Sequence, residues 1–304
     1  MISISPYNAG ASDRPSRDLF ARTCSDAVAQ PSLWLDEAVA LEVFSNARSA
    51  MWACLKHLKL GEADEVCIAT TSNGPYISSC VTRTIESVCS WSRTITKATR
   101  LVIVIHEFGF PVEESRMRQL RELGIPILED CAYATASRME GASIGRYGDF
   151  AIYSLPKYYP IKSGGLLVSR YSLRPASEAD DIGPPDGNHL SAEQSRDVLL
   201  SVSFSREVHC HWVDIRRQNW KRFSEDLSAF GVQPYFNLAQ RTVPGVYVCR
   251  LPHWISGSLL KERFVRYGVE ATEYYGHGGF YFPIHQFLSE EDILLMLQLF
   301  EAVQ

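Results

Sequence analysis

The 304-residue chain is 46% hydrophobic and 21% charged, the balance of a globular protein long enough for one large core or for two domains that share one. Its formal net charge of -5 supplies no global positive field for nucleic acid or anionic lipid, and no apolar run reaches the roughly 18–20 residues of a membrane span. The opening Met1-Ile2-Ser3-Ile4-Ser5-Pro6 lacks the basic and apolar regions of a secretory signal, and the eight scattered cysteines form no CxxC pair, so the sequence predicts a cytoplasmic protein without structural zinc.

Residues 1–33 are polar and weakly periodic and read as a loose arm. Ser45-Asn46-Ala47-Arg48-Ser49 reads as the opening of a helix that continues through residues 50–58. Residues 65–69 read as a buried strand, and a helical stretch follows over 76–85. Residues 101–105 are a continuous apolar run of strand length, as expected of a parallel strand covered on both faces. An amphipathic helix over 113–123 is ended by Gly124, and the strand at 125–128 runs into Glu129-Asp130. Residues 150–154 and 165–169 are two further strands. This alternation predicts an α/β fold, with a large domain built on a mostly parallel sheet between helices. Residues 175–188, rich in Pro, Gly and Asp, read as a loop, and 191–230 as helix in two pieces. Short strands (246–251), a helix (257–267) and a last helix opening at Ser289, with Asp292 as its capping-box partner, complete the chain. The predicted division is a large domain over 1–205 and a small C-terminal α+β domain over 206–304.

Ligands of a parallel α/β sheet bind at the carboxyl ends of its strands, which singles out three segments. Asp130 ends an apolar strand, where a buried carboxylate calls for a cationic partner such as a protonated pyridine nitrogen or an arginine, or for the N-terminus of the next helix. Ser154-Leu155-Pro156-Lys157, followed by Gly164-Gly165, sets a lysine just past a buried strand. Partial burial there supplies the neutral amine that condenses with an aldehyde cofactor. Lys162 is the competing lysine, and the ordinary fate of both is a solvated loop charge. Ser154 can donate to a phosphate, and Gly164-Gly165 lets the chain turn closely beneath a ring. The start of the helix at Asn46-Ala47-Arg48-Ser49 is an anion site by virtue of its free N–H groups and dipole, with Arg48 and Ser49 as added donors.

Along the chain the order is phosphate cradle, Asp, Ser and Lys, then Gly-Gly. Leu128-Glu129-Asp130-Cys131-Ala132, Gly145-Arg146-Tyr147-Gly148-Asp149-Phe150 and Tyr153-Ser154-Leu155-Pro156-Lys157 with Gly164-Gly165 resemble the core of the DegT/StrS-type aminotransferases, of the aspartate aminotransferase superfamily (fold type I). Residues 44–51 and 106–111, Arg217-Gln218-Asn219, Gly268-Val269-Glu270 and Phe282-Pro283-Ile284-His285 are similar to other segments of that family, so the resemblance spans about residues 40–300. It implies pyridoxal 5'-phosphate (PLP) as the cofactor and Lys157, rather than Lys162, as the lysine that holds it, because its distance to Gly164-Gly165 suits the family's lysine. It further implies Asp130 at the pyridine nitrogen, Ser154 at the phosphate, and Ala47 and Arg48 on the other side of that phosphate. Tyr133 stands where the family commonly has glutamine, and its phenol can donate to the cofactor's O3′. The implied activity is transfer of an amino group from glutamate or glutamine to a keto group of a nucleotide-linked sugar, by a homodimer.

The sequence departs from the family at Ala47, where glycine is usual, and at residues 69–73, where a ring-stacking aromatic is usual and Tyr76 is the aromatic nearby. The family's G-x-N-x-R segment after Gly-Gly is not recognisable. These departures keep open a second reading, a degenerate non-catalytic PLP-binding homologue with a regulatory or partner-binding role. His209-Cys210-His211 has metal-ligand spacing but no second cluster and lies in a helical region, so no metal is expected. Residues 274–281, dense in aromatics and glycine, read either as a substrate-facing loop or as a packed junction between domains.

Overall fold

The computed structural model describes residues 1–6, 40–139, 142–173, 190–204 and 209–302; the loop expected at 175–188 and the expected arm from residue 7 on lie outside them. The chain begins its regular structure with β1 (Ala40–Phe44), α1 (Ala47–His57), β2 (Glu65–Thr70), α2 (Ser79–Glu86), β3 (Ser90–Ser92), β4 (Thr99–Ile105), α3 (Glu114–Glu122) and β5 (Ile127–Asp130). A small hairpin of β6 (Arg138–Met139) and β7 (Ala142–Ser143) precedes β8 (Phe150–Ser154), a 3-10 turn over Leu155–Lys157 and β9 (Gly165–Ser169). The seven-stranded sheet has the order β1-β9-β8-β5-β4-β2-β3. It is parallel from β8 to β3, while β9 runs antiparallel to both β8 and β1.

Two cores explain the unbroken apolar strands. Leu101, Ile103, Leu128, Ile152 and Leu167 face α1 and α2, meeting Met51, Leu55, Val81 and Ile85. Their strand neighbours Val102, Val104, Ile127, Ala151, Leu166 and Val168 face the other way, toward Met117 and Leu120 of α3 and toward α4 (Ala192–Phe204) and α5 (His209–Asp226). Alternation along a pleated strand therefore needs apolar side chains at every position. Where element ends differ from expectation, the local chemistry accounts for it. Pro126 has no N–H to enter a ladder, so β5 begins at Ile127. Ser78, with extended ψ and a side chain that accepts from the Cys80 amide, caps α2 so that it starts at Ser79, three residues later than expected for a helix already under way at Tyr76.

A second, four-stranded antiparallel sheet has the order β10-β11-β13-β12, from β10 (Gln233–Pro234), β11 (Val246–Arg250), β12 (Thr272–Tyr274) and β13 (Gly279–Pro283). α6 (Gly257–Arg266) and α7 (Glu290–Glu301) cover it through Phe264, Phe280, Phe282 and Phe300. The expected capping box at the head of α7 is present, with Asp292 N–H donating to Ser289 Oγ (3.1 Å) and Ser289 N–H to Asp292 Oδ2 (2.8 Å). Residues 1–6 are tied in by a bridge of Ile2 to Val269, with the Ile2 amide on Gly268 O at 2.7 Å. No helix among the described residues is long and apolar enough to cross a membrane.

Gly165 sits where three segments converge. It pairs with Phe44 in β1 and Ser154 in β8, and a Cβ on it would lie 2.2 Å from the carbonyl carbon and oxygen of Asn46. The glycine is thus required by the close seating of the α1 N-terminus against β9. Gly165→Ala is expected to destabilise the protein by about 1–3 kcal/mol, because backbone atoms must move to admit the methyl group. Gly61→Ala, with nothing within 4 Å of the added carbon, is the control expected to leave the melting temperature nearly unchanged. Thermal denaturation of the two variants checks this, and equal melting temperatures would show that the contact is slack.

Candidate active site

The carboxyl ends of four parallel strands open into a cavity of about 310 Å³. Thr70, Ile105, Asp130 and Ser154, the last residues of β2, β4, β5 and β8, all line it. Of the residues expected at the site, Ala47, Arg48, Asp130, Tyr133, Ser154 and Lys157 line this cavity. Ser49 and Lys162 are not among its lining residues: Ser49 is buried one position deeper in the helix and Lys162 is exposed.

Asn46 caps α1. Its Oδ1 accepts the Ser49 amide at 3.0 Å and its carbonyl accepts the Ala50 amide at 3.3 Å. The other first-turn amides, at Ala47 and Arg48, are those that helical geometry leaves without an intrahelical acceptor, and both residues face the cavity wall. Arg48 Nη1 lies 3.9 Å from Sγ of Cys80, another lining residue. This corner of the cavity suits an anion.

Asp130 is 6% exposed, and its Oδ1 accepts the Ala132 amide at 2.9 Å. It makes no ion pair within 4 Å among the described residues. Burial raises its pKa, while the Lys157 ammonium, the Ala132 amide and His106 act in the opposite direction. Lys157 is partly buried, with Nζ 3.5 Å from the centre of the Tyr133 ring, a cation–π contact. Burial holds its pKa below the usual lysine range, and the nearby Asp130 charge pulls it back up. The pair thus consists of a carboxylate and an amine, each pushed by burial toward its neutral form and each stabilised as an ion by the other.

Beneath this pair the polar groups are satisfied internally. The Val112 amide donates to His106 Nδ1 at 3.1 Å, which leaves the His106 proton on Nε2, directed at Glu129 Oε2 at 3.0 Å. Glu129 also accepts from the Gly145 amide (3.0 Å) and the Gly148 amide. The ligand atoms of His106, Glu129 and Cys131 come within 4.8 Å of one another, but both His106 nitrogens and both Glu129 oxygens are already committed to these bonds.

Several lining residues escaped the sequence reading. Glu107 accepts the Ser72 amide on one oxygen and the Tyr274 hydroxyl on the other at 2.7 Å. Phe108 takes a φ of 55°, in the left-handed region, which costs a bulky residue on the order of 1–2 kcal/mol. That backbone turns its ring into a cluster with Tyr133, Tyr274 and Tyr281 at 5.8, 5.2 and 4.8 Å between centroids. Tyr76 and Tyr281 also line the cavity, their hydroxyls 3.5 Å apart. The aromatic run at 274–281 includes two strand residues: Tyr281 lines the cavity, and Phe280 packs in the core of the small sheet. The Gly-x-Pro pattern after His106 was a signal for the irregular turn, though not for which side chain it would aim inward.

This sheet order, with a cavity at the strand ends, defines a class. The solved structure of the aminotransferase TlmJ from Streptoalloteichus hindustanus has the same fold, with a TM-score of 0.65, 20% identity and coverage of 86% of this chain and 85% of that one. Residues 83–170 match the sequence profile of the DegT/DnrJ/EryC1/StrS aminotransferase family, so the resemblance read from the segments around Asp130 and Lys157 is borne out. The dTDP-4-dehydro-2,3,6-trideoxy-D-glucose 4-aminotransferase of Saccharopolyspora spinosa is 31% identical over 144 residues, which are 42% of this chain and 37% of the relative. The L-glutamine:2-deoxy-scyllo-inosose aminotransferase of Streptomyces kanamyceticus is 30% identical over 188 residues, 52% of this chain and 43% of the relative. The chain spans less than half the length of these curated relatives.

Proposed function

We propose that the protein is a PLP-dependent aminotransferase that moves an amino group from glutamate or glutamine to the keto group of a sugar, nucleotide-linked in the first instance. The observation that carries the proposal is the meeting of the Lys157 amine, the buried Asp130 carboxylate and the α1 N-terminus in one cavity. These residues fit the cofactor. Asp130 is a buried carboxylate with no ion pair within 4 Å among the described residues, which suits a protonated ring nitrogen, and Gly165 lets the α1 amides sit at the cavity edge. Retention of both reactive groups supports catalysis over the non-catalytic reading.

PLP, when bound, supplies an electron sink for negative charge that develops at the substrate carbon. Lys157 would hold the cofactor aldehyde and then, as a neutral amine, take up and return the proton that transamination moves. Asp130 would keep the facing nitrogen protonated. Ala47, Arg48 and Ser154 would bind the phosphate, and the Tyr133 phenol would orient the ring from the cavity wall. Phe108, Tyr76 and Tyr281 narrow the space and exclude water, which strengthens each of these charge interactions. A homodimer is the proposed assembly, and the two sheets support a large and a small C-terminal domain with the expected division near residue 205, except that residues 1–6, expected in the large domain, pack with the small one through Ile2 and Ile4.

The test is a PLP titration followed by visible absorbance, then addition of L-glutamate or L-glutamine, then of a keto sugar or an inosose. The expected result is a lysine-linked band, its loss with an amino donor and its return with an acceptor. A band indifferent to every donor would support the non-catalytic reading, and no band at all would overturn the cofactor assignment.

A further inference from the structure

Three consecutive carbonyl oxygens in the lysine turn accept hydrogen bonds from side chains far away in the chain. Pro156 O accepts from Ser5 Oγ at 2.6 Å, Lys157 O from Arg216 Nη2 at 3.0 Å, and Tyr158 O from Gln286 Nε2 at 2.8 Å. Arg216 and Gln286 are themselves joined, Nε to Oε1, at 2.7 Å. Together they form one donor–acceptor chain that spans the main chain on both sides of the Lys157–Tyr158 peptide.

Arg216 is an unexpected residue for this place. It is 1% exposed, lies with Cζ 4.7 Å above the Tyr158 ring, and has no carboxylate within ion-pair distance among the described residues. Burial pulls its pKa from 12.5 down to about 10. A methionine or leucine would fill the same space without the desolvation penalty that a buried guanidinium brings. What only arginine offers is a rigid fork of donors that serves two oxygen acceptors at once.

We propose that Arg216, backed by Gln286, is a positioning residue that fixes the main chain at Lys157, so that Nζ stays where it captures the cofactor aldehyde. The need is specific to this lysine. Its side chain is long, and its amine rests over the face of the Tyr133 ring. Displacement of the backbone is therefore passed directly to the reacting atom, and misplacement on the order of 1 Å can cost about 10²-fold in such chemistry.

The inference rests on the PLP reading, and its test separates the two. Wild type, Arg216→Met and Gln286→Leu are titrated with PLP, which bonds to Lys157, and with pyridoxamine phosphate, which has no aldehyde and binds without that bond. For Arg216→Met the apparent Kd for PLP, read from the visible band, is expected to rise about tenfold or more, the effect of one charge-assisted hydrogen bond. The Kd for pyridoxamine phosphate, read by calorimetry, is expected to stay within about twofold. Arg216→Lys, which keeps a cation but loses the fork, is expected to recover part of the PLP affinity. Gln286→Leu is expected to show a smaller selective loss, and with Arg216→Lys it carries the comparison if Arg216→Met does not fold. Equal weakening of both ligands, or no change in PLP affinity, would overturn the positioning role. Absence of the band in wild type would sink the PLP reading itself.

Discussion

Lys157→Ala is expected to abolish the lysine-linked visible band and to lower transamination by at least about 10²–10⁴-fold, the range for loss of a positioned acid–base group. The same substitution at Lys162 is expected to change neither. Both lysines follow β8 within eight residues and both precede the glycine pair; the resemblance favours Lys157 by its distance to that pair, and the environment of the two side chains points the same way. Lys157 lines the cavity beside Asp130 and is held below the usual lysine pKa by burial, whereas Lys162 is exposed. A lowered pKa favours the neutral amine that condenses with an aldehyde and accepts a proton, and Lys157 is the lysine that lines the cavity. Borohydride reduction of the PLP-loaded protein followed by peptide mass measurement should mark residue 157. A band that survives Lys157→Ala, or that is lost only with Lys162→Ala, would reverse the assignment.

The parts of the molecule legible in the sequence are those set by short-range pattern. The strands at β2, β4, β5, β8 and β9 are apolar at consecutive positions because the sheet is buried on both faces, and that signal needs no knowledge of partners. Asp130, Ser154 and Lys157 were readable because strand ends in a parallel sheet point to one place. β1 and β13 were not. β1 alternates modest residues, Leu41 and Val43 with Glu42, and becomes a strand only by pairing with Gly165–Ser169 from over a hundred residues away. β13 hides in a run of Gly, Phe and Tyr whose pairing to Val246–Arg250 is equally remote. Arg216 lies in a stretch that the sequence reads only as helix. Its burial depends on Tyr158 and Gln286, which no local window contains. Ser5 bonds Pro156 across 151 residues for the same reason.

Asp130→Asn is expected to lower transamination by about 10²–10³-fold, the scale on which loss of a single aimed electrostatic group is felt in a water-excluded site. It is also expected to move the acid limb of Lys157 reactivity in the cofactor-free protein to lower pH. The sign follows from the two influences on the amine. Burial depresses the Lys157 pKa, and the Asp130 carboxylate raises it by favouring the ammonium. Removing the negative charge leaves burial acting with less opposition, so the pKa falls and more of the amine is neutral at a given pH. Labelling with a neutral acylating reagent across a pH series, with the adduct at Lys157 quantified by peptide mass, measures this directly. A shift to higher pH, or none, would mean the two groups are not coupled. The paired outcome is the informative one. If Asp130 served only to set the charge on Lys157, the variant with the more available amine would be no slower at neutral pH. A more reactive lysine in a much slower enzyme would show that the carboxylate acts on the far side of the ring, where no other acid among the described residues lining the cavity can replace it: Glu107 holds Ser72 and Tyr274 on its two oxygens.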